Sequence, residues 1–499
     1  MKQLSGLDAS FLYMETASQF GHVSGLSIFA RPDKPDYEPL TAWRSQIEAR
    51  LHTLEPLRRR LVWVPFALDH PYWIEDPDFD LDYHVRHTAV PPPGRDEQLA
   101  ELVARIVGRP LDRSRPLWET YVIEGLANDT FAVLTKVHHA TVDGASGAEL
   151  LTMMLDSSEE GDHVPPPEQE WRPEPPPSDV EVLTRAVANL VRKPGRGILL
   201  TAGTIRELGR TTRNPVMAEF GRQLRNSLRG PLGAALNLGR RRDDPDPPPR
   251  LPSLMAPRTI FNRPISAHRR FALRSTSLES VKQVKNELGA TVNDVVMAVC
   301  AGALRTWLAS HNALPDAPLV AMVPVSVRTG EETDKWTNRV SALAAVLPTD
   351  EPDPVERVRR VHEAMVSAKE LWNALPAERL TDFSQFPSPA VFARAMRLAT
   401  RVAARTVSPF NLVISNVPGP RHPLYAAGAR LVHYYPVSTI IDGQGLNITV
   451  QSYLDTLDFG LVACRELVPD LWALADGIVD DLEQLAKAAN VDVPVRQPL

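Results

Sequence analysis

Two proline clusters constrain this chain more than any other feature. Residues 164–178, "VPPPEQEWRPEPPPS", carry seven prolines, and "DDPDPPPRLP" follows at 243–252. Proline removes a backbone donor and fixes φ, so neither stretch can hold a helix or a central strand. Between the clusters, residues 180–242 contain thirteen Arg or Lys against three acidic residues, a local charge of +10 in a chain whose net charge is -6. The clusters therefore predict three segments. An N-terminal lobe spans 1–163, a proline-rich and basic linker spans 164–257, and a C-terminal lobe spans 258–499.

Both lobes read as mixed α/β. "HVSGLSIFA", "WETYVIEGL" and "DTFAVLTKVHHAT" are strand-like, while "LTAWRSQIEARLHTL" and "DEQLAELVARIVGRPL" have helical spacing. In the second lobe the strand candidates are "HRRFALRSTS", "PLVAMVPVSVR", "NRVSALAAVLP", "FNLVISNVP", "RLVHYYPVS" and "GLNITVQSYLDTLDFGLVAC". Helices are predicted near 278–288, 291–309, 353–373 and 469–489. The two lobes are expected to follow one another along the chain.

Several classes are disfavoured. The overall charge gives no footprint for nucleic acid. The N-terminus lacks a sustained apolar core, and no window approaches the uncharged length of a spanning helix, so a cytosolic protein is expected. Cys300 and Cys464, the chain's two cysteines, sit in apolar runs and are expected to act as small hydrophobes. Within the linker, "VLTRAVANLVRK" and "GILLTAGTIRELGR" combine apolar residues at helical spacing with Arg and Lys. Such a segment suits either a solvated linker helix or a cationic amphipathic contact with an anionic lipid surface.

Chemistry concentrates in "HHATVDG", which places His138, His139, Asp143 and Gly144 within seven residues. A metal site is disfavoured, because adjacent strand residues point to opposite faces and cannot readily share one ion. A Ser-His-Asp hydrolase is disfavoured by the lack of a G-x-S-x-G turn. One general base fits better, with one imidazole facing a reaction chamber, its twin in the core, and Asp143 holding the following turn. Gly144, lacking Cβ, lets a substrate approach that turn.

The form HHxxxDG resembles the signature of acyl-CoA-dependent acyltransferases with the chloramphenicol-acetyltransferase-like fold. Other motifs resemble one branch of it, the bacterial wax ester synthase/diacylglycerol acyltransferase family. They are "LSGLDASFLYMET", "FDLDYHVRH", Pro116-Leu117-Trp118, Asn293-Asp294, "PVSVR", "NRVS", "SNVPGP" with Asn416, and "DFGL". In "WTNRVS", Thr337 stands where family members often have glycine.

The resemblance implies a two-lobed α/β fold with a tunnel between the lobes and the histidine motif at mid-tunnel. It implies that His139 is the base, that Asp143 fixes the loop through an ion pair with an arginine, and that acyl-CoA is a co-substrate with no further cofactor and no metal. It also implies long-chain acyl-CoA and diacylglycerol or a fatty alcohol as substrates, met at an inner-membrane or lipid-droplet surface. On the residues alone, Asp143 and the Asn293-Asp294 pair could equally serve as helix caps. Trp118 suits packing, and Asn416 suits a tight Pro/Gly turn. Two other functions remain open, a condensation-type enzyme using a carrier-bound acyl group and a non-catalytic protein that coats lipid droplets.

Overall fold

The computed structural model describes residues 1–65, 68–141, 152–167, 256–326, 340–373 and 409–492, with positions 173, 175–178, 180–182, 184 and 185 between them. The N-terminal part contains strands β1 (Lys2–Gln3), β2 (His22–Ala30), β3 (Arg59–Val62), β4 (Tyr72–Glu75), β5 (Val85–Ala89), β6 (Trp118–Glu124) and β7 (Thr130–His138). Its helices are α1 (Gly6–Met14), α2 (Pro39–Arg50), α3 (Leu81–His84) and α4 (Asp96–Val107). Beyond residue 256 come β8 (Arg269–Ser277), α5 (Leu278–Glu287), α6 (Val292–Ser310), β9 (Leu319–Ser326), β10 (Val340–Leu347) and α7 (Pro354–Asn373). They are followed by β11 (Leu412–Val417), β12 (Tyr425–Ala426), β13 (Ala429–Val437), β14 (Leu446–Tyr453), β15 (Thr456–Cys464) and α8 (Leu471–Ala488).

Two six-stranded sheets organise the molecule. One has the order β12-β13-β2-β7-β6-β5 and the other β10-β9-β11-β14-β15-β8, with a small β1-β4-β3 sheet beside them. In the first sheet, β7 alternates. Phe131, Val133 and Val137 enter a core with Trp43 and Ile47 of α2, whereas Ala132 and Leu134 enter one shared with Leu99 and Val103 of α4 and with Phe271 and Val462 of the second sheet. This period of two places an apolar layer on each face of β7, as expected for a central strand.

The chain does not deliver its two sheets one after the other. Strands β12 and β13, from well beyond residue 258, complete the first sheet, and β13 pairs antiparallel with β2 from Leu431↔Phe29 to Val437↔Ser24. Long-range side-chain contacts fix this crossover, and no local pattern announces them. Asp458 of β15 accepts the Tyr434 N–H at 2.8 Å and the Ser275 hydroxyl at 2.6 Å, and it lies 3.1 Å from His433 Nδ1. Gly460 completes the seam, since a Cβ there would stand 1.8 Å from the Pro436 carbonyl oxygen. The run "GLNITVQSYLDTLDFGLVAC" is therefore not one strand. It folds back between β14 and β15, with Leu454 at φ 49 in the turn.

Helix α6 has the length and apolar composition of a membrane span. It is instead the buried centre of the second lobe, where Val295, Val299 and Leu304 pack with Leu474, Ile478 and Leu482 of α8. Cys300 and Cys464 are free and buried, and burial pushes the Cys300 thiol pKa up. Most of the 164–257 linker, including the basic run 186–242, lies outside the described residues. Its described start is anchored, because Val182 is buried against Val64 and Tyr72 of the small sheet.

Candidate active site

The motif begins where β7 ends. His138 is paired across β2 with His22, the His138 N–H donates to the Leu117 carbonyl at 2.9 Å, and the His139 N–H donates to the Gly21 carbonyl at 2.9 Å. Backbone hydrogen bonding thus fixes His138 as the last residue of a central strand and His139 as the first residue beyond it, between Gly21 before β2 and Leu117 before β6. Lys136, two residues earlier, ties the strand to the end of α4 by donating to the Ile106 carbonyl at 3.3 Å and the Arg109 carbonyl at 2.6 Å. Burial pulls its ammonium pKa down to about 8 against the opposing pull of Glu119.

The two imidazoles differ in environment. His138 is 2% exposed, its Nδ1 accepts the Ala140 N–H at 3.0 Å, and its Nε2 lies 3.3 Å from Glu15 Oε1. An acceptor at Nδ1 requires the proton of the neutral ring to sit at Nε2, facing the carboxylate. Gly21 allows this fit, because a Cβ there would stand 2.6 Å from His138 Nε2. Glu15 also accepts the Gly21 N–H at 2.6 Å and the Arg113 guanidinium, whose Nε lies at 3.1 Å. Burial alone would raise the Glu15 pKa, but His138, Arg113 and Gly21 outweigh it and hold the carboxyl at about 2.

His139 is partly accessible and stacks on the Phe11 ring of α1, with centroids 4.8 Å apart and an interplanar angle of 17°. Burial first, and the neighbouring His138 second, lower its pKa to about 4. At neutral pH the ring is an unprotonated proton acceptor. One fixed, carboxylate-backed imidazole beside one neutral and partly open imidazole can support proton abstraction from a bound hydroxyl.

Asp143, Gly144 and Thr337 lie outside the described residues. Leu117 and Trp118 are fully buried. Pro116 accepts the Trp118 N–H at 2.9 Å, the Trp118 indole N–H donates to the Leu57 carbonyl at 2.7 Å, and its ring stacks on His84 at 4.5 Å. These residues brace the start of β6 next to the motif. Asp294 forms a reciprocal cap with Thr291 and lies 2.8 Å from His362 Nδ1. Asn293, beside it, meets Asn416, with the Asn416 amide 3.5 Å from the Asn293 oxygen. The "ND" and "NVPGP" motifs therefore meet each other across α6 and β11.

Sequence reasoning did not single out Glu15, Arg113, Phe11 or Gly21. Glu15 and Arg113 stand far from the motif in the chain, and only the fold joins them. The segment preceding β2 is also clamped by the second half of the molecule. Arg269 donates to the Ser18 carbonyl at 2.6 Å, Thr439 to the Phe20 carbonyl at 2.7 Å, and the Asp442 N–H to Gln19 Oε1 at 3.1 Å. The site thus sits at a seam to which both halves of the chain contribute.

Comparison with known proteins agrees with this arrangement. The wax ester synthase/diacylglycerol acyltransferase catalytic domain matches residues 4–296, and the corresponding C-terminal domain matches residues 336–486. A putative diacylglycerol O-acyltransferase of Mycobacterium tuberculosis is 35% identical over 492 residues, covering 98% of this chain and 91% of the relative. An O-acyltransferase of Acinetobacter baylyi is 34% identical over 491 residues, covering 97% and 96%. Among solved structures, the wax ester synthase/diacylglycerol acyltransferase of Marinobacter aquaeolei aligns with a TM-score of 0.68 at 32% identity, covering 98% of this chain and all of that one. A trichothecene 15-O-acetyltransferase from Fusarium sporotrichioides aligns at 0.59 with 12% identity over 97% and 94% of the two chains, which shows the shared two-lobed fold alone. By sequence along nearly its whole length, and by fold, this chain belongs to the wax ester synthase/diacylglycerol acyltransferase family.

Proposed function

We propose that the protein is an acyl-CoA-dependent O-acyltransferase that makes triacylglycerol from diacylglycerol, wax esters from fatty alcohols, or both. His139 serves as general base, and no acyl-enzyme forms. The carrying observation is the pair of unlike imidazoles at the end of β7, one locked against Glu15 and the other neutral and partly open. The relatives' names, diacylglycerol O-acyltransferase and wax ester synthase/diacylglycerol acyltransferase, support the substrate class.

In this reaction His139 takes the acceptor's hydroxyl proton as the oxygen attacks the thioester carbonyl. The tetrahedral adduct collapses, the C–S bond breaks, and His139 returns the proton to the departing CoA sulfur. General base catalysis of this kind contributes about 10² to 10⁴ in rate, roughly 3 to 5 kcal/mol of barrier. Holding both substrates at attack distance, away from water, supplies the rest.

The test is turnover of labelled long-chain acyl-CoA with diacylglycerol and with hexadecanol offered separately. Both acceptors should react, because an apolar site separates a methylene by only about 1 to 3 kcal/mol. Diacylglycerol should be the better of the two. Strict dependence on a short polar alcohol or an amine would contradict the proposal.

We also propose a cytoplasmic enzyme that works at the surface of the inner membrane or of lipid droplets, since its substrates partition there. Trp63 and Leu68, beside the small sheet, are each 41% exposed, and Val182, which precedes the basic run in the sequence, is buried against that same sheet. An exposed tryptophan suits an interfacial contact, and so does a cationic sequence with apolar residues at helical spacing.

A further inference from the structure

Helix α1 presents two unlike faces. Ala9, Leu12 and Tyr13 are buried and pack with Leu61 and Trp73 of the small sheet, with Leu117 and with Ala140. Asp8 and Ser10 are buried as well. The remaining arc carries Leu7, Phe11 and Met14, and none of the three is fully buried. Leu7 is 37% exposed.

Positions i, i+4 and i+7 form one row along a helix, and at 1.5 Å per residue this row is about 10 Å long. It is apolar throughout. At its middle, Phe11 stacks on the His139 ring. A soluble helix normally turns its apolar row inward and its polar row outward, and α1 instead leaves an apolar row incompletely buried, with half-buried Phe11 touching His139. A hydrocarbon chain is the occupant that this surface fits. It gives up water on contact, needs no hydrogen bond, and ends at a group that must reach His139.

We propose that the row Leu7–Phe11–Met14 is the track along which a substrate's hydrocarbon chain lies, and that Phe11 aligns the chain with the His139 ring. The proposal rests on His139 being the base. Half-buried Met14 at the C-terminal end of the row suits chains of varied shape, because its flexible thioether adapts to them. The chain can be that of the thioester or that of the acceptor, which present the same chemistry to the row.

The test uses the full-length protein and its Leu7→Gln, Met14→Gln and Phe11→Leu variants, with His139→Gln in parallel. In one arm kcat/KM is measured for octanoyl-, lauroyl- and palmitoyl-CoA with hexadecanol fixed. In the other, palmitoyl-CoA is fixed and the alcohol runs from octanol to hexadecanol. Leu7 is exposed enough for glutamine to be accommodated, so its variant reads the track and not the fold. The preference for the longest over the shortest chain should fall roughly fivefold to tenfold in one arm, and that arm identifies which chain lies on the row. Wild-type length profiles in both arms for all three variants, with His139→Gln inactive, would overturn the track alone. Normal turnover by His139→Gln would instead overturn the assignment of the base on which the track rests.

Discussion

Glu15 Oε1 stands 3.3 Å from His138 Nε2 across a separation of 123 positions in the chain. The Arg113 guanidinium sits on the far side of the same carboxylate. The motif's first histidine is therefore backed by a charge supplied by the end of α1. Glu15→Gln keeps the shape and removes the charge, so it should lower stability by about 1 to 3 kcal/mol, because the Arg113 and His138 donors lose an ionised partner. It should also lower turnover, through the loosened strand end. Urea unfolding and acyl-transfer rates measured together check this, and an unchanged variant would mean that the charge on Glu15 supports neither the strand end nor the site.

His138→Ala should cost a few kcal/mol and reduce soluble yield, because a fully enclosed ring leaves a cavity and takes one partner from the Glu15 carboxylate. Thermal denaturation of the purified variant measures the loss. A melting temperature equal to that of the wild type would contradict the burial assigned to this ring.

The acid side of the activity profile follows from His139. With its pKa lowered from the ordinary 6.5 to about 4, the base stays neutral well below pH 6, and kcat/KM should fall only as the pH approaches that lower value. His84, also held at about 4 chiefly by burial, gives the matching stability effect. Between pH 6.5 and 4 the unfolded chain binds protons that the native ring refuses. Stability is thus complete above about pH 6.5 and is lost as the pH falls toward 4, on the order of 3 kcal/mol for one such group. A kcat/KM limb centred near 6.5 would contradict the lowered pKa of the free enzyme's His139.

Gly460→Ala tests the seam between the sheets. The added Cβ would collide with the Pro436 carbonyl, so β13 and β15 must separate, at a cost of about 1 to 3 kcal/mol or more. Chemical denaturation reads the loss. A neutral substitution would mean that the crossover strand is free to shift.

Much of this was legible in the sequence. The periodicity of "HVSGLSIFA" matches β2 from end to end, and the helices expected near 278–288, 291–309, 353–373 and 469–489 lie within two residues of α5, α6, α7 and α8. Local pattern carries such elements because their apolar spacing is uninterrupted. Helix α1 was not read from spacing, although Ser5, three residues before Asp8, is a capping signal and its Oγ accepts the Asp8 N–H at 3.1 Å. The crossover of β13, the partnership of Glu15 with His138 and the meeting of Asn293 with Asn416 depend on tertiary contacts between distant segments, which no local periodicity encodes.

The basic run 180–242 makes a separate prediction for lipid binding. Changing Arg192, Lys193, Arg196, Arg206, Arg210 and Arg213 to Gln should reduce flotation with anionic liposomes at low salt. Salt should weaken wild-type binding, as the Debye length falls from about 10 Å at 0.1 M to about 3 Å at 1 M. Equal flotation of both proteins at low salt would reduce the segment to a linker.

The central claim is that His139 is the base and His138 its structural neighbour. The most direct measurement is acyl transfer from labelled long-chain acyl-CoA by purified His139→Ala, with folding checked by circular dichroism. A folded protein whose turnover is lost is the predicted result. A folded His139→Ala that keeps near wild-type turnover would contradict the claim.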